Sequence, residues 1–342
     1  MAVSSYYWVF RFGGRDVLAA PCESAGIRAA AVRSIPAATV RSRLYRSMVR
    51  SAVGLGADRF FARRHFNPVP RFVGFDWAAF DILLREVVGR DAFQTAVIQP
   101  PQGGRNRFYV HLFSGDGYRF AFAKVSMDGQ NDAQLRAEGE ALSTGEIGNT
   151  FRRPRVLAVK THQSRQVLLL ESLPMRSWPA GPVWTKAVAR VRQEIAGEPR
   201  ALGAIQECSW WPEFVACHQQ FGPLAEAVER DGAIDMTVCR AHGDFVNWNF
   251  HEDSDILWLF DWECYAPDAP VLTDEVRFLL GLHTRMAIKN PGALARHLYE
   301  RYRCEDPHHR RDLFRALAFL HARDTTTATA VAIAWPGSCG HP

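Results

Sequence analysis

Two short stretches constrain this chain more than the rest of it. One is Cys239-Arg240-Ala241-His242-Gly243-Asp244-Phe245-Val246-Asn247-Trp248-Asn249-Phe250, and after a hairpin-sized gap comes Trp258-Leu259-Phe260-Asp261-Trp262-Glu263. Short apolar runs at 238–241 and 257–260 read as strands. A strand therefore delivers a carboxylate, Asp244, into a loop, an amide (Asn249) follows five residues later, and a second strand ends in Asp261. Phosphoryl transfer from a nucleotide needs such parts. One carboxylate orients a substrate hydroxyl and accepts its proton, while hard oxygen ligands hold a divalent cation against the phosphates. Asp244 fits the first role, and Asn249 with Asp261 fits the second. A chance turn followed by an unrelated acidic strand end is the bland alternative, and it must also account for what lies upstream.

Upstream, 96–98, 108–113, 119–125, 156–159 and 166–170 read as five strands of an antiparallel sheet, with a helix at 130–143. Together they make an α+β layer. Lys124 sits on the third of these strands, and Glu138 and Glu140 follow in the helix. A lone strand lysine is usually solvated; in register with the later motifs, Lys124 is not read that way. After Glu171-Ser172-Leu173-Pro174 the texture turns helical, with helices expected at 183–195, 212–230, 274–283, 291–303 and 312–322. The tail from Asp324, rich in Thr, Ala, Gly and Pro, is expected to be weakly ordered.

With these parts in this order, the chain resembles the aminoglycoside phosphotransferases, the choline kinases and their relatives. His242-x-Asp244-x-x-x-x-Asn249 is similar to their catalytic loop, and Gly243, where protein kinases carry Arg, favours the small-molecule branch. Asp261-Trp262-Glu263 stands where protein kinases have Asp-Phe-Gly. The resemblance implies a bilobal protein-kinase-like fold, with a small antiparallel-sheet N-lobe and a larger, mainly helical C-lobe. It implies ATP and Mg²⁺ as cofactors and a small-molecule hydroxyl as acceptor. It gives Asp244, His242 and Lys124 catalytic roles, with Lys124 on the nucleotide phosphates and Glu138 pairing it. Gly103 and Gly104 become the turn over the nucleotide, although a plain hairpin turn is an equal reading. Glu171 and Leu173 fall in the inter-lobe hinge, Asn249 and Asp261 bind metal, and Asp274 supports the loop. The implied organisation is an N-lobe over 91–173, a C-lobe over 174–325 and a tail over 326–342, behind an N-terminal extension of residues 1–90 that the family core lacks.

Charge is split along the chain. Residues 1–170 carry 24 Lys+Arg against 13 Asp+Glu, and residues 171–342 carry 17 against 23. The Arg-rich stretch 28–64 fits a basic amphipathic helix on an anionic membrane or a nucleic acid; a solvated helical face packed on the catalytic body is the plainer reading. No nucleic-acid partner is expected, while peripheral membrane contact through this segment stays open, as does oligomeric state. Between 174 and 242, Trp178, Trp184, Trp210, Trp211, Phe214 and Phe221 stand near Glu207, Glu213, Glu226 and Glu229. Aromatics with acids suit a cationic amine, and core aromatics beside a solvated acidic face would look the same. An aminoglycoside, an amino alcohol, a sugar, or a lipid- or glycan-linked biosynthetic acceptor all remain, as does a catalytically silent nucleotide-binding protein. Seven scattered cysteines without CxxC spacing suit reduced thiols and a cytoplasmic location. Neither a signal peptide nor a long apolar span is read.

Overall fold

The computed structural model describes residues 6–12, 15–35, 40–65, 74–99, 107–127, 132–144, 150–172, 185–222, 224–230, 236–253, 256–323 and 326–335. The chain divides into two compact units: Met1–Ser143 with Pro154–Pro174, and Thr144–Arg153 with Met175–Pro342. The fold class is α+β, with a sheet unit and a mainly helical unit, as the sequence implies.

The first unit is built on an eight-stranded antiparallel sheet rather than the expected five. Its strands are β1 (Tyr7–Phe12), β2 (Arg15–Pro21), β3 (Ala62–His65), β4 (Gln94–Ile98), β5 (Arg107–Phe113) and β6 (Arg119–Ser126), completed by Val156–His162 and Arg165–Glu171. The extra three strands come from the N-terminal segment, which is therefore not a separate body. β2 pairs with β4 through Leu18 opposite Ile98 and Ala19 opposite Val97. The apolar β-branched and aromatic residues of 7–12 and 15–21 make that extension favourable, because both faces of these strands find cover.

Cover comes from helices with clear boundary signals. α1 (Ala25–Arg33) starts at Ser24, whose side chain accepts from Ile27 N–H, and α2 is Val40–Gly54. They bury Ile27, Ala31, Val32, Val49 and Val53 against Phe10, Val17, Leu18 and Ile98. α3 (Trp77–Val88) is capped by Asp76 and ends at Gly89 in the left-handed region. Its Phe80 and Leu84 pack with Val97, Phe108, Val110 and Ala123. α4 (Asp132–Ser143) lies so close to the sheet that a Cβ on Gly139 would come 2.7 Å from Val159 Cγ2.

The second unit holds two three-stranded sheets and a large helical core. Arg200–Leu202, Met236–Ala241 and Ala266–Pro270 form one sheet; Phe250–Asp253, Ile256–Leu259 and Phe151–Arg152 form the other. The single helix expected over 212–230 is three pieces, 211–217, 218–221 and 224–230, broken where Gly222 adopts φ +75°. The first part of the tail also departs from expectation. Thr326–Ile333 is a helix that buries Ala328, Val331 and Ala332, and His321 Nδ1 meets Thr329 Oγ1 at 2.7 Å. Small Thr and Ala side chains look loop-like in sequence, yet they are what lets this helix approach Pro307–Ala322 closely. No helix among the described residues is long and apolar enough to cross a membrane.

A buried ion pair fastens the N-terminal segment. Arg28 Nε lies 2.7 Å from Asp58 Oδ2 with both residues under 8% exposed, and Arg28 also donates to the Cys22 carbonyl at 2.5 Å. Removing one partner leaves a buried charge alone. Asp58→Ala should lower unfolding free energy by about 3 kcal/mol, as single truncations of buried pairs do. A double Arg28→Met, Asp58→Leu variant should recover most of that loss in urea denaturation.

Candidate active site

In the sheet unit, strand alternation decides where Lys124 points. Ala121, Ala123 and Val125 of β6 face the α3 side, so Lys124 emerges on the opposite face. There its Nζ is 2.8 Å from both carboxylate oxygens of Glu138 on α4, and the two residues are 4% and 0% exposed. The structure thus brings Lys124 to Glu138 and not to Glu140, which is exposed. Gly139 is why α4 comes near enough for this contact. Glu171 ends its strand, donating its N–H to the Arg155 carbonyl at 2.9 Å. Gly103, Gly104 and Leu173 lie outside the described residues.

In the helical unit, Met236–Ala241 ends and the chain turns sharply at Gly243, φ +77°. A Cβ there would fall 2.1 Å from the Cys264 carbonyl oxygen, so the position excludes any side chain. The turn is held from below by Asp274, near the start of the helix Thr273–Leu282. Its two carboxylate oxygens accept the N–H groups of His242 at 2.8 Å and Gly243 at 2.9 Å. Burial pushes the Asp274 carboxyl up to about 6, against the opposing pull of these two bonds.

His242 is fully buried and acts as a strut. Its Nε2 faces the Phe260 carbonyl at 3.1 Å, which makes it the protonated nitrogen, and Nδ1 accepts from the Asp244 N–H at 3.3 Å. Burial pulls its pKa down to about 4, so the ring is neutral near pH 7. That bond ties the first loop to the residue before Asp261. Asp261 itself sits in the left-handed region, φ 68°, and opens the 3₁₀ turn Trp262–Cys264. Trp262 anchors the turn: its Nε1 donates to Leu259 O at 3.0 Å, its ring lies 4.7 Å from His242, and it stacks on Phe151 at 6.2 Å.

Asp244 and Asn249 are brought together. The Asn249 Nδ2 donates to the Asp244 carbonyl at 2.8 Å and to its Oδ2 at 2.9 Å. With both amide hydrogens used there, Oδ1 is the Asn249 atom suited to a cation. The other Asp244 oxygen is taken by a residue the sequence reading missed. Arg277 Nε and Nη2 reach Asp244 Oδ1 at 2.9 and 2.5 Å, and its guanidinium lies 5.8 Å from the Trp248 ring centroid. A signal existed: Arg277 is three residues after Asp274 on one helix, so the two share a face. Gly281 continues that face, where a Cβ would stand 3.0 Å from Val246 Cγ1.

Three of the aromatics between 174 and 242 belong to the core and not to a binding wall. Trp210, Phe214 and Phe221 are fully buried in the helical core. Glu213 is paired to Arg323 and Glu229 to His218. Trp178 and Trp184 lie outside the described residues. The six described cysteines are not in disulfides, and burial pushes Cys208 and Cys239 up to about 12, which keeps them thiols.

Two outcomes follow. Gly243→Ala should abolish the loop geometry and cost at least about 3 kcal/mol, since both backbone conformation and the Cys264 carbonyl oppose a methyl group; thermal unfolding measures it. The two buried titrating groups act oppositely on stability. From pH 6.5 down to about 4 the unfolded state protonates His242 and the folded state does not, so stability falls. From about 6 down to 3.8 the folded state protonates Asp274 and the unfolded state does not, so stability rises. Asp274→Asn removes the second contribution, and its urea-measured stability should decline more steeply than wild type as pH falls through this window.

No family model and no curated protein matches the chain. Among solved structures it is similar to a provisionally assigned fructosamine-3-kinase from Haemophilus somnus, with 15% identity over 77% of this chain and 97% of that one, TM-score 0.45. It is similar to the aminoglycoside phosphotransferase APH(3'')-Id from Streptomyces rimosus, with 17% identity over 77% of this chain and all of the other, TM-score 0.41. A type VIII aminoglycoside-3'-phosphotransferase gives 18% identity over 74% and 97% of the chains, TM-score 0.42. In its own motifs, the chain resembles the aminoglycoside-phosphotransferase and choline-kinase type.

Proposed function

We propose that this protein is a kinase that transfers the γ-phosphate of ATP to a hydroxyl group of a small molecule. The observation that carries the reading is the Asp244–Asn249 contact at 2.9 Å, in a loop clamped by Asp274 and barred to side chains at Gly243. A carboxylate held so firmly loses little entropy in orienting a hydroxyl and taking its proton. Asn249 Oδ1 and Asp261 offer the hard oxygen donors that Mg²⁺ prefers, and they would hold it when bound. That ion would neutralise the nucleotide's phosphate charge.

The sheet unit supplies a complementary part by itself. Lys124 is a compact cation fixed by Glu138 on an apolar strand, and that suits it to pair the α- and β-phosphates. His242 serves as a positioning residue, because a buried neutral ring bonded at both nitrogens is not placed to exchange protons. Arg277 holds the second oxygen of Asp244 and fixes the plane of the carboxylate. With Trp210, Phe214 and Phe221 in the core, those three rings give no preference for an amine, and a neutral sugar fits the reading as well.

The Asp244–Arg277 ion pair also favours a second reading, a catalytically silent nucleotide-binding protein, since it occupies the oxygen that a base would use. An ADP-release screen over aminoglycosides, choline-like amines, sugars and hydroxy amino acids separates the two. Turnover on one acceptor that Asp244→Asn lowers by about 10²-fold or more supports the kinase, with ATP affinity retained. Asp261→Ala should weaken Mg²⁺-ATP binding, and unchanged affinity would remove Asp261 from the ligand role. Nucleotide binding with no turnover on any acceptor would leave the silent reading.

A further inference from the structure

α2 turns an apolar stripe toward solvent. Leu44 and Met48 are one helical turn apart, and Leu55 follows two turns after Met48, so the three fall on one side of the helix. Leu55 stands just past the helix end, yet its N–H still donates to Ser51 O at 3.0 Å. The three side chains are 61%, 57% and 84% exposed, and Phe60 in the next turn is 72% exposed. The side of α2 that faces the unit is a different one, carrying the buried Val49, Ala52 and Val53. Single exposed apolar residues are ordinary, but four in one short segment mark a surface that meets something.

Charge narrows the occupant. Residues 40–65 contain seven arginines (Arg41, Arg43, Arg46, Arg50, Arg59, Arg63 and Arg64) and one acid, Asp58. Asp58 is already paired with Arg28. Arg59 is exposed at the end of the stripe, lying 5.2 Å from the Phe60 ring centroid, and Arg63 and Arg64 are exposed just beyond it; Arg50 is exposed on another side of the helix. A second copy docking face to face would set arginines against arginines, which disfavours a symmetric dimer here. Nucleic acid would satisfy the cations and leave four apolar side chains in water. An anionic bilayer satisfies both, since headgroups pair with the guanidinium groups while the apolar side chains enter the headgroup–acyl boundary.

We propose that α2 and the turn after it form a peripheral docking surface for anionic lipid membranes. The inference stands on the sheet unit alone and does not depend on the kinase reading. The test is flotation of the full-length chain with vesicles of phosphatidylcholine, with and without about a third phosphatidylglycerol, at low and high salt. Co-flotation with the anionic vesicles at low salt, reduced by salt, is expected. A Leu44→Ser, Met48→Ser, Leu55→Ser, Phe60→Ser variant should lower the bound fraction by about 10-fold or more, and Arg59→Gln with Arg63→Gln by several-fold. These side chains are exposed, so both variants should keep the wild-type urea midpoint and nucleotide affinity. Absence of co-flotation overturns the proposal, as does binding that survives the four-serine variant at an unchanged midpoint. A dimer in sedimentation velocity that this variant dissociates, or retention of duplex RNA without flotation, overturns it in favour of those occupants.

Discussion

The carboxylate of Asp274 takes two consecutive backbone N–H groups at 2.8 and 2.9 Å, in a place where water does not reach it. Those N–H groups belong to a turn that has left its strand and has no sheet partner of its own. Without an acceptor, two buried donors would stand unpaired, at a cost of about 1–3 kcal/mol each. The helix that carries Asp274 therefore sets the height and direction of the turn. Everything after it in the loop, Asp244 and Asn249 included, inherits that placement.

From this point the polar contacts run outward as a chain. His242 links the turn to Phe260, and so to the residue before Asp261. Trp262 wedges beneath, against His242 and Phe151. Asp244 is held on one oxygen by Asn249 and on the other by Arg277, which rises from the same helix as Asp274. Two loops distant in sequence are thus fixed by one helix face and one aromatic stack, with few degrees of freedom left to the carboxylates.

Much of this was legible in sequence because the chemistry is local there. Asp244 and Asn249 are five residues apart, so a loop of fixed length joins them. The place of Asp274 beneath the loop and of Glu138 beside Lys124 came only from the family resemblance. What escaped is what depends on the third dimension. Arg277 looks like an ordinary helical arginine until the loop it reaches is known. Trp210, Phe214 and Phe221 have the composition of a binding wall, and only packing shows them to be core. The helix at 326–333 hid in a Thr- and Ala-rich stretch, where small side chains signal close helix packing as readily as disorder. That 7–12 and 15–21 extend the sheet could not be read locally, because pairing with β4 joins residues some eighty apart.

That pairing changes what the N-terminal segment is for. Without β1, β2 and β3 the sheet would begin at β4, whose Ala96, Val97 and Ile98 are buried, and its unpaired backbone would face water beside an apolar surface. Such a border recruits strands from other molecules. In the intact chain the border is moved outward to β3, where Ala62-Arg63-Arg64-His65 presents crowded positive charge instead. The added segment thus works as a guard for the sheet. Cutting it away to reach a smaller body would expose a sticky edge in place of a repellent one.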